Sequence, residues 1–265
     1  EFHVGHLFSN SVGESLSRLF EAMGAEVRRA NYFGDVGMHV AKSIWGMRQK
    51  FKMQNAKFKI KEGMDELEKL PLSKRMEFLG QAYVIGAKAY DENEEAQEEI
   101  QRINILIYKI AQDYIKENEE EVNQKELNEV KKLYEKGRVW SLEYFETIYA
   151  QVGTKFDAYY PESTVAEYGT KIVREHLDDG IFEESEGAII FPGEKFGLHN
   201  RVFINSVGLP TYEAKELGLA VKKYQDWSYD QSIVITGNEI NEYFRVLMMA
   251  LSQIYPDLAR KTTHI

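Results

Sequence analysis

Apolar residues follow two different rhythms along this chain, and the change of rhythm divides it. Over residues 5–24, Leu7, Val12, Leu16, Leu19, Phe20 and Met23 recur near a helical period, which predicts a helix stopped by Gly24. Glu26–Tyr32 then reads as a short strand ending in turn chemistry at Gly34-Asp35-Val36-Gly37. Helix, strand and glycine-rich turn in that order are what a parallel α/β sheet requires. From about 38 to 138 glycine thins out, Pro71 is the only proline and charges recur at helical spacing. The acidic run Asp91–Glu99 leads straight into Ile100, Ile103, Leu106, Ile107 and Ile110, so it predicts a long solvated helix rather than a disordered tract. This region reads as a helical insertion.

Strands return after about 139. Phe156–Pro161 predicts a strand then a turn, and Ala188–Phe191 with Val202–Asn205 predicts a pair of short strands. Ser232–Gly237 is a β-branched run ending in glycine, the pattern of a buried parallel strand. It enters an apolar helix through Met248 and Leu251, and Thr263-His264-Ile265 resembles the start of another strand.

Composition narrows the possibilities. With 265 residues and 43% hydrophobic content the chain can bury a full core, and no run approaches the roughly 20 apolar residues that a membrane-spanning helix needs. The absence of cysteine excludes a disulfide scaffold and any thiolate metal site, and suits a reducing cytoplasm. The first residues carry no signal-peptide pattern. A net charge of −10 argues against a protein that holds DNA or RNA mainly by charge, but leaves room for RNA contact on one face. Lys42, Arg48, Lys50, Lys52, Lys57, Lys59 and Lys61 form such a basic stretch; a solvated helix face is the simpler reading.

The most suggestive chemistry is His3-Val4-Gly5-His6, two imidazoles at a helix N-terminus. As a metal pair it lacks a nearby Asp, Glu or Cys to complete a ligand set. As incidental helix-start residues the histidines would do nothing. As a phosphate site the arrangement has physical logic: exposed backbone N–H groups, the positive end of the helix dipole, a glycine for close approach and imidazole donors.

The motifs that follow decide among these. His3-Val4-Gly5-His6-Leu7 with Ser9, Gly13 and Glu14 resembles the HIGH signature of class I aminoacyl-tRNA synthetases in the form used by arginyl-tRNA synthetases. Asn31 through Gly37 is similar to that family's Asn–x–x–Gly–Asp–x–Gly turn, and Ser141–Phe145 with Ile148-Tyr149 to its helix after the insertion. Glu184-Ser185-Glu186-Gly187-Ala188, Pro210-Thr211-Tyr212 with Glu216, and Gly237-Asn238-Glu239 with Phe244 resemble later family segments, in order.

The resemblance implies an α/β, Rossmann-like (HUP-type) parallel sheet with a mostly helical insertion: residues 1–45 and 139–265 as the halves of the catalytic domain, 46–138 as the insertion. It implies an arginine–tRNA ligase that couples ATP and L-arginine to arginyl-adenylate and charges tRNA(Arg), with magnesium arriving on ATP and no protein-bound metal. His3 and His6 would be catalytic; His3, Gly5, His6, Gly237 and Glu239 would bind ATP; Asn31, Glu184, Tyr212 and Glu216 would bind arginine. Carboxylates that meet a guanidinium and an aromatic plane beside it are the residue types such a pocket needs. A cytoplasmic monomer acting on no DNA and no membrane is expected.

Several positions depart from the family pattern: Phe8 for arginine, Glu216 for aspartate, Ile240 for a glutamine that touches the amino acid, Tyr243 for histidine and Val207 for aspartate. The KMSKS-like loop and the N-terminal tRNA-binding and C-terminal anticodon-binding domains are not found in this sequence, so the core is expected to be incomplete by itself. Another HIGH-signature nucleotidyltransferase, or a non-catalytic nucleotide- or RNA-binding fragment, remains open at this stage.

Overall fold

The structure is a computed structural model that describes residues 2–54, 60–112, 123–237 and 240–265. In chain order its elements are α1 (Val4–Ala22), β1 (Ala30–Phe33), α2 (Met38–Gln54), α3 (Ile60–Glu68), α4 (Leu72–Glu92), α5 (Glu94–Gln112) and α6 (Gln124–Val152). There follow β2 (Ala158–Pro161), α7 (Glu162–Glu175), β3 (Glu183–Ser185), β4 (Ala188–Phe191), β5 (Arg201–Ile204) and α8 (Tyr212–Asp226). The chain closes with β6 (Ser232–Val234), α9 (Asn241–Ile254), α10 (Pro256–Arg260) and β7 (Thr262–His264). Two compact units emerge: Gly34–Lys155 joined by Phe2, and His3–Phe33 with Phe156–Ile265.

The first unit is helical. The isoleucines of α5 that the sequence pattern placed on one face, Ile100, Ile103 and Ile107, are all fully buried, against Ala41, Ile44 and Met47 of α2 and Val130 and Leu133 of α6 within the same core. The acidic run is not one continuous helix. It breaks at Asn93, whose side-chain oxygen accepts the Ala96 N–H at 2.9 Å and so caps α5, as a short amide acceptor does at a helix start. Two glycines explain how α2 and α4 come so close: a Cβ at Gly46 would sit 1.9 Å from the Ala82 carbonyl oxygen, and one at Gly86 1.9 Å from that of Lys42. Arg138 of α6 donates to buried Asp35 at 2.8 Å, tying the Gly-Asp turn into this unit. Much of the basic stretch is engaged locally. Lys42 lies over the Tyr90 ring, Arg48 pairs with Glu126 and Glu129, and Lys50 reaches Gln81, which fits a helix face rather than an RNA surface. Lys57 and Lys59 lie outside the described residues.

The second unit carries the strands. β1 and β2 pair in parallel with Asn31 opposite Tyr159, and β6 and β7 pair in parallel with Ile233 opposite Thr263. β3, β4 and β5 form an antiparallel sheet. The α/β expectation is thus met with parallel strands, in two pairs rather than one uninterrupted sheet. The expected strand over Glu26–Tyr32 is shorter, beginning only at Ala30, and the strand ending at Pro161 runs directly into α7 without a turn. The core gathers Phe182, Phe191, Phe203, Leu217, Phe244, Leu247 and Leu251 from both helices and strands. Glycine again sets a helix contact: a Cβ at Gly169 would lie 1.8 Å from the Ala214 carbonyl oxygen, and one at Gly218 2.4 Å from that of Val165. α7 and α8 therefore touch along their backbones, and their facing side chains are held at fixed height.

Candidate functional site

The His-Val-Gly-His segment begins α1. His3 is the N-cap residue in extended backbone, and the two imidazoles close a reciprocal capping box. His3 Nδ1 accepts the Gly5 N–H at 3.1 Å, and His6 Nδ1 accepts the His3 N–H at 3.2 Å. Both rings therefore act as acceptors through Nδ1, which assigns the proton of each neutral ring to Nε2. Loss of hydration, with the adjacent His3 ring adding to it, holds the His6 imidazole below the usual histidine value, although the residue is exposed. Gly5 has a local reason to lack a side chain, since a Cβ there would lie 2.9 Å from the His3 ring.

No residue of α1 is fully buried, so the apolar period read from the sequence does not become a core face. Val4, Phe8, Leu19 and Met23 are exposed. The helix is held instead by Arg29, which pairs with Glu14 at 2.8 Å and Glu21 at 2.7 Å. Burial pushes the Glu14 carboxyl up, but hydrogen bonds from Arg29 and Arg18 outweigh it and leave it below the usual range. Gly13 brings α1 against the segment after β6, where a Cβ would come within 3.3 Å of Ile235. That segment carries Gly237, whose carbonyl accepts the Ile240 N–H at 3.4 Å. Glu239 lies outside the described residues.

A second cluster forms where β1 and β2 end and α7 and α8 begin. Asn31 of β1 is buried at 9% exposure. Glu162 opens α7 and Lys215 lies one turn into α8; their ion pair has both side chains 4% exposed. The Lys215 ammonium also stands 4.4 Å from the centre of the Tyr212 ring. Glu213 is buried and meets Arg201 at 3.5 Å.

Glu216 keeps some exposure along its length, but its carboxyl is surrounded by protein. Burial pushes it up to about 7; the Lys223 ammonium opposes that shift and the Glu162 charge adds to it. Lys223 is itself pushed down by burial. Its ammonium donates to the Ser232 hydroxyl at 3.0 Å, and it lines a small cavity with Glu216, Val234, Phe244, Met248 and Thr262.

Two tyrosines complete the cluster. The hydroxyls of Tyr32 and Tyr243 are buried and have no hydrogen-bond partner among the described residues. Burial and the charges of Glu216 and Glu162 push the Tyr32 phenol well up; Tyr243 is raised by burial, with Glu216, Glu213 and Glu162 adding to it.

The structure thus brings Tyr212 and Glu216 together at the start of α8; Asn31 lies on β1, one residue before Tyr32. Glu184 is placed differently. It is exposed on β3, and its companions Glu186 and Gly187 take positive φ angles of 50° and 79°, the geometry of a tight hairpin turn into β4. Its segment has a structural explanation, and Glu184 is not among the charges that bear most on Glu216, Tyr32 or Tyr243. A further buried carboxylate at the cluster is Glu162, which sequence reasoning passed over. The available signal was its place immediately after a parallel strand, where α/β folds gather ligand-binding groups.

Residues 1–265 match the family described as tRNA synthetases class I (R), catalytic domain, and the chain belongs to that family. It is 28% identical to the arginine–tRNA ligase of Treponema denticola over 267 residues, covering 99% of this chain and 40% of the relative. It is likewise 28% identical to that of Treponema pallidum over 265 residues, covering 99% of the chain and 40% of the relative. Among solved structures, the arginyl-tRNA synthetase of Plasmodium falciparum superposes with a TM-score of 0.68 at 20% identity, over all of this chain and 40% of that one. The chain therefore spans about two fifths of the length of these relatives. No helix among the described residues is long and apolar enough to cross a membrane.

Proposed function

We propose that this chain is the arginine-activating core of an arginine–tRNA ligase. The observation that carries the reading is the cluster at the start of α8, where two buried carboxylates, Glu162 and Glu216, stand with Tyr212, Tyr32 and Tyr243 beyond the ends of β1 and β2. A guanidinium is planar, permanently charged and rich in N–H donors, so carboxylates and an aromatic face are its natural complement. Asn31, Tyr212 and Glu216 are assigned to arginine, joined by Glu162; Glu184 is left out on the geometry given above.

ATP is assigned to the α1 side. The Nε2–H groups of His3 and His6 would donate to phosphate oxygens, with the helix N-terminus adding its partial positive charge, and Gly237 and Glu239 would border the nucleoside. In the reaction an arginine carboxylate oxygen attacks the α-phosphorus. The new acyl–phosphate bond forms as the bond to pyrophosphate breaks, and pyrophosphate leaves with the electron pair. The carboxylate is already ionised, so no general base is required; the protein positions and stabilises charge. A hydroxyl of the terminal ribose of tRNA(Arg) then attacks the arginyl carbonyl, and AMP leaves as the acyl–phosphate bond breaks. Magnesium would arrive on ATP, and we assign the protein to the cytoplasm as a monomer.

Calorimetric titration with L-arginine, L-lysine and L-citrulline tests the reading. Citrulline has the shape of arginine without its charge. Arginine should bind in clear preference to both; equal binding of arginine and citrulline would overturn the assignment.

A further inference from the structure

We propose that the hydroxyls of Tyr32 and Tyr243 are specificity-determining groups that each accept one N–H of the substrate guanidinium. This deepens the arginine assignment and rests on it. The argument begins with their isolation. A buried phenol O–H that bonds nothing loses its hydration without return, so proteins rarely retain one in the absence of a use. Here two occur in the same cluster, one from the end of β1 and one from the start of α9, and both feel the charges of Glu216 and Glu162. The buried Tyr229 hydroxyl is also unbonded, but it lies beside the hydroxyls of Ser232 and Thr262 and away from these carboxylates.

Donor counting supplies the second step. A guanidinium presents five N–H donors and no acceptor. Paired bidentately, two carboxylates take at most four of the five donors, and one Glu162 oxygen is already bonded to the Lys215 ammonium. A phenol oxygen can accept an N–H while donating its own proton to a carboxylate, which suits a position between the cation and Glu216 or Glu162. An ammonium has only three donors on a compact head, fewer than the acceptors that two carboxylates and two phenols offer. The two hydroxyls therefore favour arginine over lysine.

The test uses Tyr32→Phe and Tyr243→Phe in the full-length protein, with arginine, lysine and ATP titrations and thermal melting without ligand. Each variant should bind arginine about three- to tenfold more weakly, the loss of one hydrogen bond, with smaller losses for lysine and none for ATP. Melting without ligand should stay level or rise, because the hydroxyl removed was unpaired. Unchanged arginine affinity in both variants, or equal losses for arginine and lysine, would overturn the proposal while leaving the arginine assignment standing. A drop in melting temperature without ligand would also overturn it, by showing that the hydroxyls are bonded in the free protein. If the parent protein shows no preference for arginine over citrulline, the assignment itself fails and this inference fails with it.

Discussion

Lys215 and Glu162 hold each other across two helices that meet backbone to backbone, and neither side chain is more than 4% exposed. Such a pair is weak evidence of net stability, but breaking it on one side leaves an uncompensated buried charge. Lys215→Met should therefore destabilise the protein by about 3–5 kcal/mol in urea unfolding. Adding Glu162→Gln should restore a large part of that loss. If the double variant is as unstable as the single one, burial of the charge is not the cause.

Arginine binding should depend on pH through Glu216. Its carboxyl is raised to about 7, so below that value it binds a proton that must leave before the guanidinium is met as a carboxylate. Lys215 and Lys223 on its own helix, Glu162 of α7, Tyr32 of β1 and Tyr243 of α9 are the titratable groups around it. Arginine affinity should rise with pH, approaching about tenfold per unit below 7, and level off above it. In Glu216→Gln the affinity should be weak and this pH step absent. Calorimetry across the range checks both, and a step that persists in the variant belongs to another group.

The Glu216 carboxyl has the opposite consequence for the empty protein. A folded-state value raised above that of the unfolded chain means stability contributed below the unfolded value is lost as pH rises towards 7, then stays level. Glu216→Gln should flatten that decline in melting temperature.

Lys223 tunes the same step. Its ammonium opposes the upward push on Glu216, so Lys223→Met should move the pH step in arginine affinity above its position in the parent protein. A step at unchanged pH would show that Lys223 serves only to hold Ser232 at the start of β6.

One substitution separates the capping role of His3 from its proposed contact with ATP. Asparagine is a good N-cap, so His3→Asn should keep α1 capped and change stability by only a few tenths of a kcal/mol, about the spread among good caps. ATP affinity should nevertheless fall, because the Nε2 donor is lost. An ATP affinity matching the parent would assign His3 to capping alone.

What could be read from the sequence is what repeats locally. The spacing of Ile100, Ile103 and Ile107 gave a helix face that is indeed buried, and the β-branched run from Ser232 gave a parallel strand. The same arithmetic on Leu7, Val12, Leu16 and Leu19 gave a helix but not its surroundings, since periodicity shows which residues share a face and not what covers it. Glu162 left only one local trace, its place just after the strand that ends at Pro161. It is buried because Gly169 and Gly218, well along the two helices, allow α7 and α8 to close on it. Glu184 sits in a charged segment whose order is set by a hairpin, and a turn of that kind depends on the backbone angles of Glu186 and Gly187, which residue types alone do not reveal.

The way α1 is attached gives the helix that carries the histidines a distinct thermodynamic character. A helix without a fully buried residue, fastened by one arginine to two of its glutamates, can open without disturbing the core of its unit. Its amide protons should exchange with solvent well before those of α8, and salt should hasten that exchange by screening its ion pairs. On the proposed assignment the histidines ride on this lightly anchored helix, so part of the free energy of nucleotide binding would go into ordering it.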